Sequence, residues 1–370
     1  MKKYLLLIVA FAVSFGLYAQ EEEEFKPIVQ YGIGMIGQTT YQQTNDNQGY
    51  LMDWAGLKKG FIHTNVFLTP RLSGKLQLGY HSPNAKIFEF YVNYKFDDLL
   101  SVRAGKFKGG GPRAHFEDAI YDQEFTEIPY SVTEFARGLR IPDFRRFGLQ
   151  AHGKWEFISY KLFWHDGDGL HTTPPTQQFI DKEADRKSNV GLKFTNFDVF
   201  LSFTPLKDAE FGGHYGRASF AGMGRKSVNH YSAFFYYNPN KFEFKLDYLH
   251  YQDVIFEDNF VPESDDFSYH PYNTVSKKGY SFYTGYNFHP KFKFGVRYEH
   301  FDHGALGDTP SKQYENLDIY TVGLTYFPLK GSKRNKLVLF YERFDESKTA
   351  PGFRRPNNII ALAAQLFILN

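Results

Sequence analysis

From Lys241 to Tyr248 the chain reads Lys, Phe, Glu, Phe, Lys, Leu, Asp, Tyr, so charged and apolar residues alternate at every step. The pattern returns from Lys291 to Tyr298, and weaker copies fill the chain. A period of two predicts strands with one wet face and one apolar face. Such strands are expected near residues 27–42, 59–68, 74–81, 85–95, 99–107, 145–155, 156–165, 188–196, 197–205, 227–237, 241–252, 278–288, 291–302, 316–327, 335–344 and 358–369. Tight turns at 69–73, Asp97-Asp98, Asn238-Pro239-Asn240 and His289-Pro290 alternate with long polar connections. The total is sixteen, and an even number returns both ends of the chain to one side of a closed sheet.

The phase of each strand names its two faces. Phe242, Phe244, Leu246 and Tyr248 share one face, as do Phe292, Phe294, Val296 and Tyr298. Phe88, Phe90, Val92 and Tyr94 form a third such set, and Leu76, Leu78 and Tyr80 a fourth. A Lys or Arg at mid-membrane depth on a lipid face costs about 2–4 kcal/mol. The alternates Lys241, Glu243, Lys245, Lys293, Arg297 and Glu299 must therefore face water. The pattern predicts an all-β fold, a transmembrane antiparallel up-and-down β-barrel of about sixteen strands. A long segment after the fifth strand, residues 108–144, is expected to fold inward or to stand outside as a solvated loop of mixed charge.

The start of the chain assigns the compartment. Lys2 and Lys3, the apolar run Leu5–Phe15 and the small residues Gly16–Ala19 read as a secretory signal peptide over residues 1–19, which leaves 20–370 as one outer-membrane barrel domain. The chain has no cysteine, hence no lipobox thiol and no disulfide framework. No later run reaches 18 apolar residues, and mean hydropathy is −0.46. A barrel hides its apolar half in alternate positions, so neither fact excludes it. Aromatics make up 19% of the residues. That is about twice the ordinary share, and it suits rings lying at a membrane–water interface. Without Lys2 and Lys3, 41 basic residues balance 41 acidic ones, so no basic bias points to nucleic acid. The expected partners are outer-membrane lipid and small hydrophilic or anionic solutes, in a Gram-negative bacterium.

Few motifs carry other chemistry. Gly32, Gly34 and Gly37 spell G-x-G-x-x-G, but no helical pattern follows, so they read as strand glycines beside aromatics. Asp166-Gly167-Asp168-Gly169 is turn chemistry that could touch calcium, without the EF-hand pattern. No G-x-S-x-G occurs, and the thirteen histidines show no ligand spacing. No catalytic residue, cofactor or metal site is expected. The long segment is the candidate site. Between Glu117 and Glu134 lie six acidic residues and no Lys or Arg, while Lys106, Lys108, Arg113, Arg137, Arg140, Arg145 and Arg146 crowd its ends. Folded inward, it would set Glu117, Glu124, Glu127 and Glu134 opposite Lys161, Lys193, Lys241, Lys245, Lys293 and Arg297, with Arg103, Lys106 and Arg113 near its root. Opposed charge across a wet constriction makes a transverse field. The competing reading is an outer-membrane enzyme or adhesin using the barrel as a scaffold.

One block resembles a known family. SVRAGKFK (101–108) supplies Arg103, Gly105, Phe107 and Lys108 to an R-x-G-x-F-K element, and RRFGLQAHG supplies Arg145, Gly148 and Gln150 to a second, with Arg146 where Asp is usual. YKLFWHDGDG (160–169) looks like a third. The block resembles the phosphate-selective porin O and P family, although Gly109-Gly110-Gly111-Pro112 replaces the family's proline–phenylalanine step. The resemblance implies a sixteen-stranded porin, usually a homotrimer, with a bias towards anions or phosphate.

Overall fold

The computed structural model describes residues 25–43, 50–81, 84–117, 122–126, 128–139, 144–165, 196–219, 227–256, 272–304, 316–329, 332–346 and 358–369. Residues 1–19, expected to be a signal peptide, and 166–169, expected to form a turn, lie outside them. The strands are β1 (Ile28–Gln43), β2 (Tyr50–Phe67), β3 (Leu72–His81), β4 (Asn84–Lys95), β5 (Ser101–Lys108), β6 (Arg145–Trp155), β7 (Ile158–His165) and β8 (Asn196–Leu206). The second half comprises β9 (Ala209–Ser219), β10 (Ser227–Tyr237), β11 (Phe242–Phe256), β12 (Tyr272–His289), β13 (Phe292–Asp302), β14 (Leu317–Tyr326), β15 (Lys336–Glu346) and β16 (Asn358–Leu369). Each pairs antiparallel with its sequence neighbours, and β1 pairs with β16 from Gly32↔Leu369 to Gln42↔Ile359, which closes the barrel.

Sixteen is the predicted number, but one strand stands elsewhere. Residues 188–195 lie outside the described residues, and Asn196 already opens β8. β9, which the alternation did not reveal, follows β8 across the turn at Lys207-Asp208. Gly212, Gly213 and Gly216 interrupt its pattern, because glycine marks neither face.

Parity otherwise sorts the faces as read. Leu246, Phe294, Leu339 and Leu362 are exposed on the outside, while Asp247, Arg297, Phe340 and Ala363 are buried on the inside. Phe88 is the exception. A bulge opposite Gln77/Leu78 sends Phe88 inward beside Glu89 and leaves Ile87 outside, because an extra residue resets the phase. Gly32 and Gly34 face inward too. A Cβ there would meet the rings of His63 and Phe61 at 2.2 and 2.1 Å, so their role is to make room for rings from β2.

Outward aromatics form two belts. Near the short turns, Tyr94–Phe96 and Phe242–Tyr286 lie 4.8 Å apart and Phe292–Tyr326 5.0 Å. Towards the other end come Tyr231–His250 at 4.7 Å, Tyr280–His300 at 5.0 Å and Tyr298–Tyr320 at 5.2 Å. From Phe292 to Tyr298 the chain climbs about 20 Å at the usual rise of a strand.

The segment between β5 and β6 folds into the barrel. It makes a short π-helical turn at Arg113–Glu117 and then helix α1 (Tyr130–Gly138). Val132 and Thr133 donate backbone bonds to Pro129 O, which starts α1 without a side-chain cap. Val132, Phe135 and Leu139 pack with Leu249, Tyr251, Phe301, Leu317 and Ile319 from the inner wall. A large apolar cluster thus lies between α1 and β11–β14, where a bare barrel would hold water. Full burial of one such side chain stabilises by about 1.5–3 kcal/mol. The external-loop alternative is excluded by this packing.

Candidate functional site

The segment's root is held by charge. Arg145, which opens β6, bonds Glu89 at 3.3 Å and stacks over Phe88 at 4.7 Å, and Lys75 reaches Glu89 at 2.6 Å. Glu89 faces inward by regular alternation with Phe90, and the bulge adds the Phe88 ring beside it, under Arg145. Arg103 on β5 lies over Tyr91 at 4.5 Å and over Phe107 at 5.3 Å.

From the root the segment crosses the lumen. Arg113 bonds Glu210 of β9 through Nε at 3.3 Å and Nη2 at 3.1 Å, and its guanidinium sits 5.2 Å from the Tyr236 ring. Ser202 donates to the same carboxylate at 2.7 Å. Farther on, Glu124 is buried in contact with Lys245, and Glu243 takes Lys245 at 3.1 Å and Lys293 at 2.9 Å. Phe125 fills the gap between Tyr283 at 5.8 Å and Phe340 at 6.0 Å, with Arg297 over its face at 5.4 Å. On the far side Asp122 meets Arg334 at 3.3 Å, and Lys336 donates to Gln123 O. The return through α1 sets Ser131 N 3.5 Å from Glu299. Glu134 is buried and pairs with Arg137 at 2.5 Å, while Arg137 itself is largely exposed. Contacts from β9 to β15 make the segment a bar across the interior rather than a lining of one wall.

Its charge is uneven. At the β11–β13 end, Lys245 and Lys293 are matched by Glu124 and Glu243, and Arg297 lies beside Glu299 at 2.9 Å and Glu342 at 3.5 Å. At the other end Lys161 of β7 sits 5.4 Å from the Phe200 ring, within the electrostatic reach of Arg103, Arg113 and Glu210. Among the described residues, Glu210 is the carboxylate that Arg113 bonds at that end.

Several sequence candidates stand elsewhere. Lys241 is exposed in the turn before β11. Lys106 alternates with buried Phe107, is paired with outward Phe90 and Phe147, and donates to Ile87 O at 3.1 Å, so it belongs to the outer face. Lys108 ends β5 opposite Arg145. Glu127, Arg140 and Lys193 lie outside the described residues. So does the side chain of Glu117, whose backbone ends the π-helical turn. Glu89, Glu210, Arg334 and Lys336 were not anticipated. Inward parity was the available signal for Glu89, Glu210 and Lys336, lost for Glu210 with the unseen β9, while Arg334 precedes β15 and has no parity to read.

Solved structures of outer-membrane porins share this architecture. No protein-family model matches the chain, and no curated protein sequence matches it. Salmonella typhi OmpF, solved with daunomycin, superposes with TM-score 0.62 at 10% identity over 93% of this chain and 98% of its own. An anion-selective porin from Comamonas acidovorans gives 0.58 at 10% identity over 93% and 100%. Vibrio cholerae OmpT, in a trimer form, gives 0.57 at 11% identity over 93% and 100%. At such identities the likeness is one of fold.

Proposed function

We propose that this chain is an outer-membrane porin, a water-filled channel through which small hydrophilic solutes diffuse, with anions favoured over cations. Two aromatic belts and a charged interior support membrane immersion around a wet lumen. The segment between β5 and β6 is the constriction. The observation that carries the anion preference is the grouping of Lys161 with Arg103 and Arg113 at one end of the segment, where Glu210 is paired with Arg113. A cation-rich rim beside a narrowing raises the local concentration of anions and lowers that of cations. Phosphate falls within that class, in line with the motif block at 101–108 and 145–150. The trimer form of the Vibrio cholerae neighbour and the porin resemblance support a homotrimer.

The test is single-channel recording in planar bilayers across a salt gradient. Discrete conductance steps with a reversal potential on the anion side are expected. Absence of steps from protein shown to be assembled would overturn the channel, and a cation-side potential would overturn the preference alone.

A further inference from the structure

Thirteen histidines without ligand spacing look unremarkable along the chain, yet three converge on one aspartate. Asp198 on β8 is buried, and its Oδ2 accepts Arg146 Nη1 at 2.9 Å and lies 2.6 Å from His165 Nε2. Its other oxygen, Oδ1, faces His214 Nε2 at 3.1 Å and His230 Nε2 at 3.4 Å. All three histidines are sealed from solvent. Register explains the convergence. Asp198 is paired with Gly216 and Gly216 with His230, while His214 stands two residues back on the same inward face of β9. The middle of that row must be glycine. A Cβ on Gly216 would fall 1.9 Å from Asp198 Oδ1 and 2.1 Å from the His230 ring.

We propose that Asp198, His214 and His230 form a binding site for a divalent transition-metal ion of the zinc class, set in the barrel wall beneath α1. The ligand atoms all lie within 4.8 Å of one another. A tetrahedral ion with bonds of about 2.0–2.1 Å needs ligand atoms about 3.3 Å apart. The two separations from Oδ1, 3.1 and 3.4 Å, bracket that edge. His230 supplies the independent sign. It is fully buried, neither of its ring nitrogens has a hydrogen-bond partner, and Nε2 is aimed at the carboxylate. A buried polar group left so is costly, and a metal bond at Nε2 would satisfy it. His165 and Arg146 complete the arrangement by fixing Oδ2, which leaves Oδ1 to ligate, the usual task of groups behind a metal ligand. Arg146 also offsets the carboxylate's charge. Binding then depends on imidazole nitrogen, which favours zinc, copper or nickel over calcium and magnesium. Phe135 of α1 lies edge-on to His214 at 6.3 Å and to His230 at 5.4 Å, so the ion would enter before the segment docks.

The experiment refolds untagged protein from urea into detergent with zinc or cobalt(II), then desalts it and measures bound metal by mass spectrometry. About one ion per chain is expected, with visible absorption from the cobalt form that marks a tetrahedral site. His230→Gln and His214→Gln should lose the ion, while His289→Gln, exposed at the end of β12, should keep it. Folding of each variant is checked by its change of gel mobility on heating. Assembled wild-type protein that retains no stoichiometric metal, or a His230→Gln protein that retains as much as wild type, would overturn the site. Should both glutamine variants fail to assemble, the wild-type metal content and cobalt spectrum decide alone.

Discussion

One position of parity separates oil from water along each strand. Val296 lies outside, between the two aromatic belts on β13, and Lys161 lies inside on β7. Val296→Arg places a guanidinium in hydrocarbon and is expected to cost about 2–4 kcal/mol of barrel stability. Lys161→Glu puts a carboxylate where Arg103 and Arg113 already supply positive charge, so it should assemble normally and move the reversal potential towards cations. Heat-shifted gel mobility reads the first effect and bilayer recording the second; equal assembly of both variants would refute the assigned faces. The same parity made most of the wall legible in the sequence. It failed at Phe88, because a bulge is a property of the paired strands that one strand's pattern does not carry.

The segment between β5 and β6 is the element whose placement parity does not determine. Its length marked it out, since connections beyond about 12–15 residues usually serve a function or are disordered. Its path was not legible, because the anchors lie far along the chain: Glu210, Tyr283, Arg334 and Phe340. The Asp198 cluster was hidden for the same reason, as its members lie on four strands and meet only through register. Phe125 is the anchor to test. It is almost wholly buried, and truncation of such a phenylalanine typically costs about 3–5 kcal/mol. The barrel has its own closed ladder, so the loss should fall on the segment. Phe125→Ala is expected to leave heat-shifted mobility intact while making single-channel current noisier. Deleting residues 116–135 should raise conductance outright. An unchanged conductance after that deletion would place the narrowest point of the pore elsewhere.

At the scale of the whole molecule, total charge cannot produce ion preference. Beyond Lys2 and Lys3 the chain holds equal numbers of basic and acidic residues, 41 of each. Preference must come from where charges sit. At the β11–β13 end of the segment cations and carboxylates touch, as Lys293 and Glu243 do at 2.9 Å, and such pairs project little field into the pore. In the proposed reading the field comes from the other end, where Lys161 is grouped with Arg103 and Arg113 and Glu210 is paired with Arg113. A field of that kind acts through water and is screened by salt, over about 10 Å at 0.1 M and about 3 Å at 1 M. Porin-scale passages are wider than the shorter of these lengths, so selectivity should be strong at 0.1 M and approach the free-solution mobility ratio at 1 M. A tight binding site for anions would behave otherwise, keeping its preference at high salt and saturating as concentration rises. Reversal potentials at fixed gradient ratio across that range separate the two. Undiminished anion preference at 1 M, with saturating conductance, would replace the diffuse field by a discrete anion site on the same three side chains.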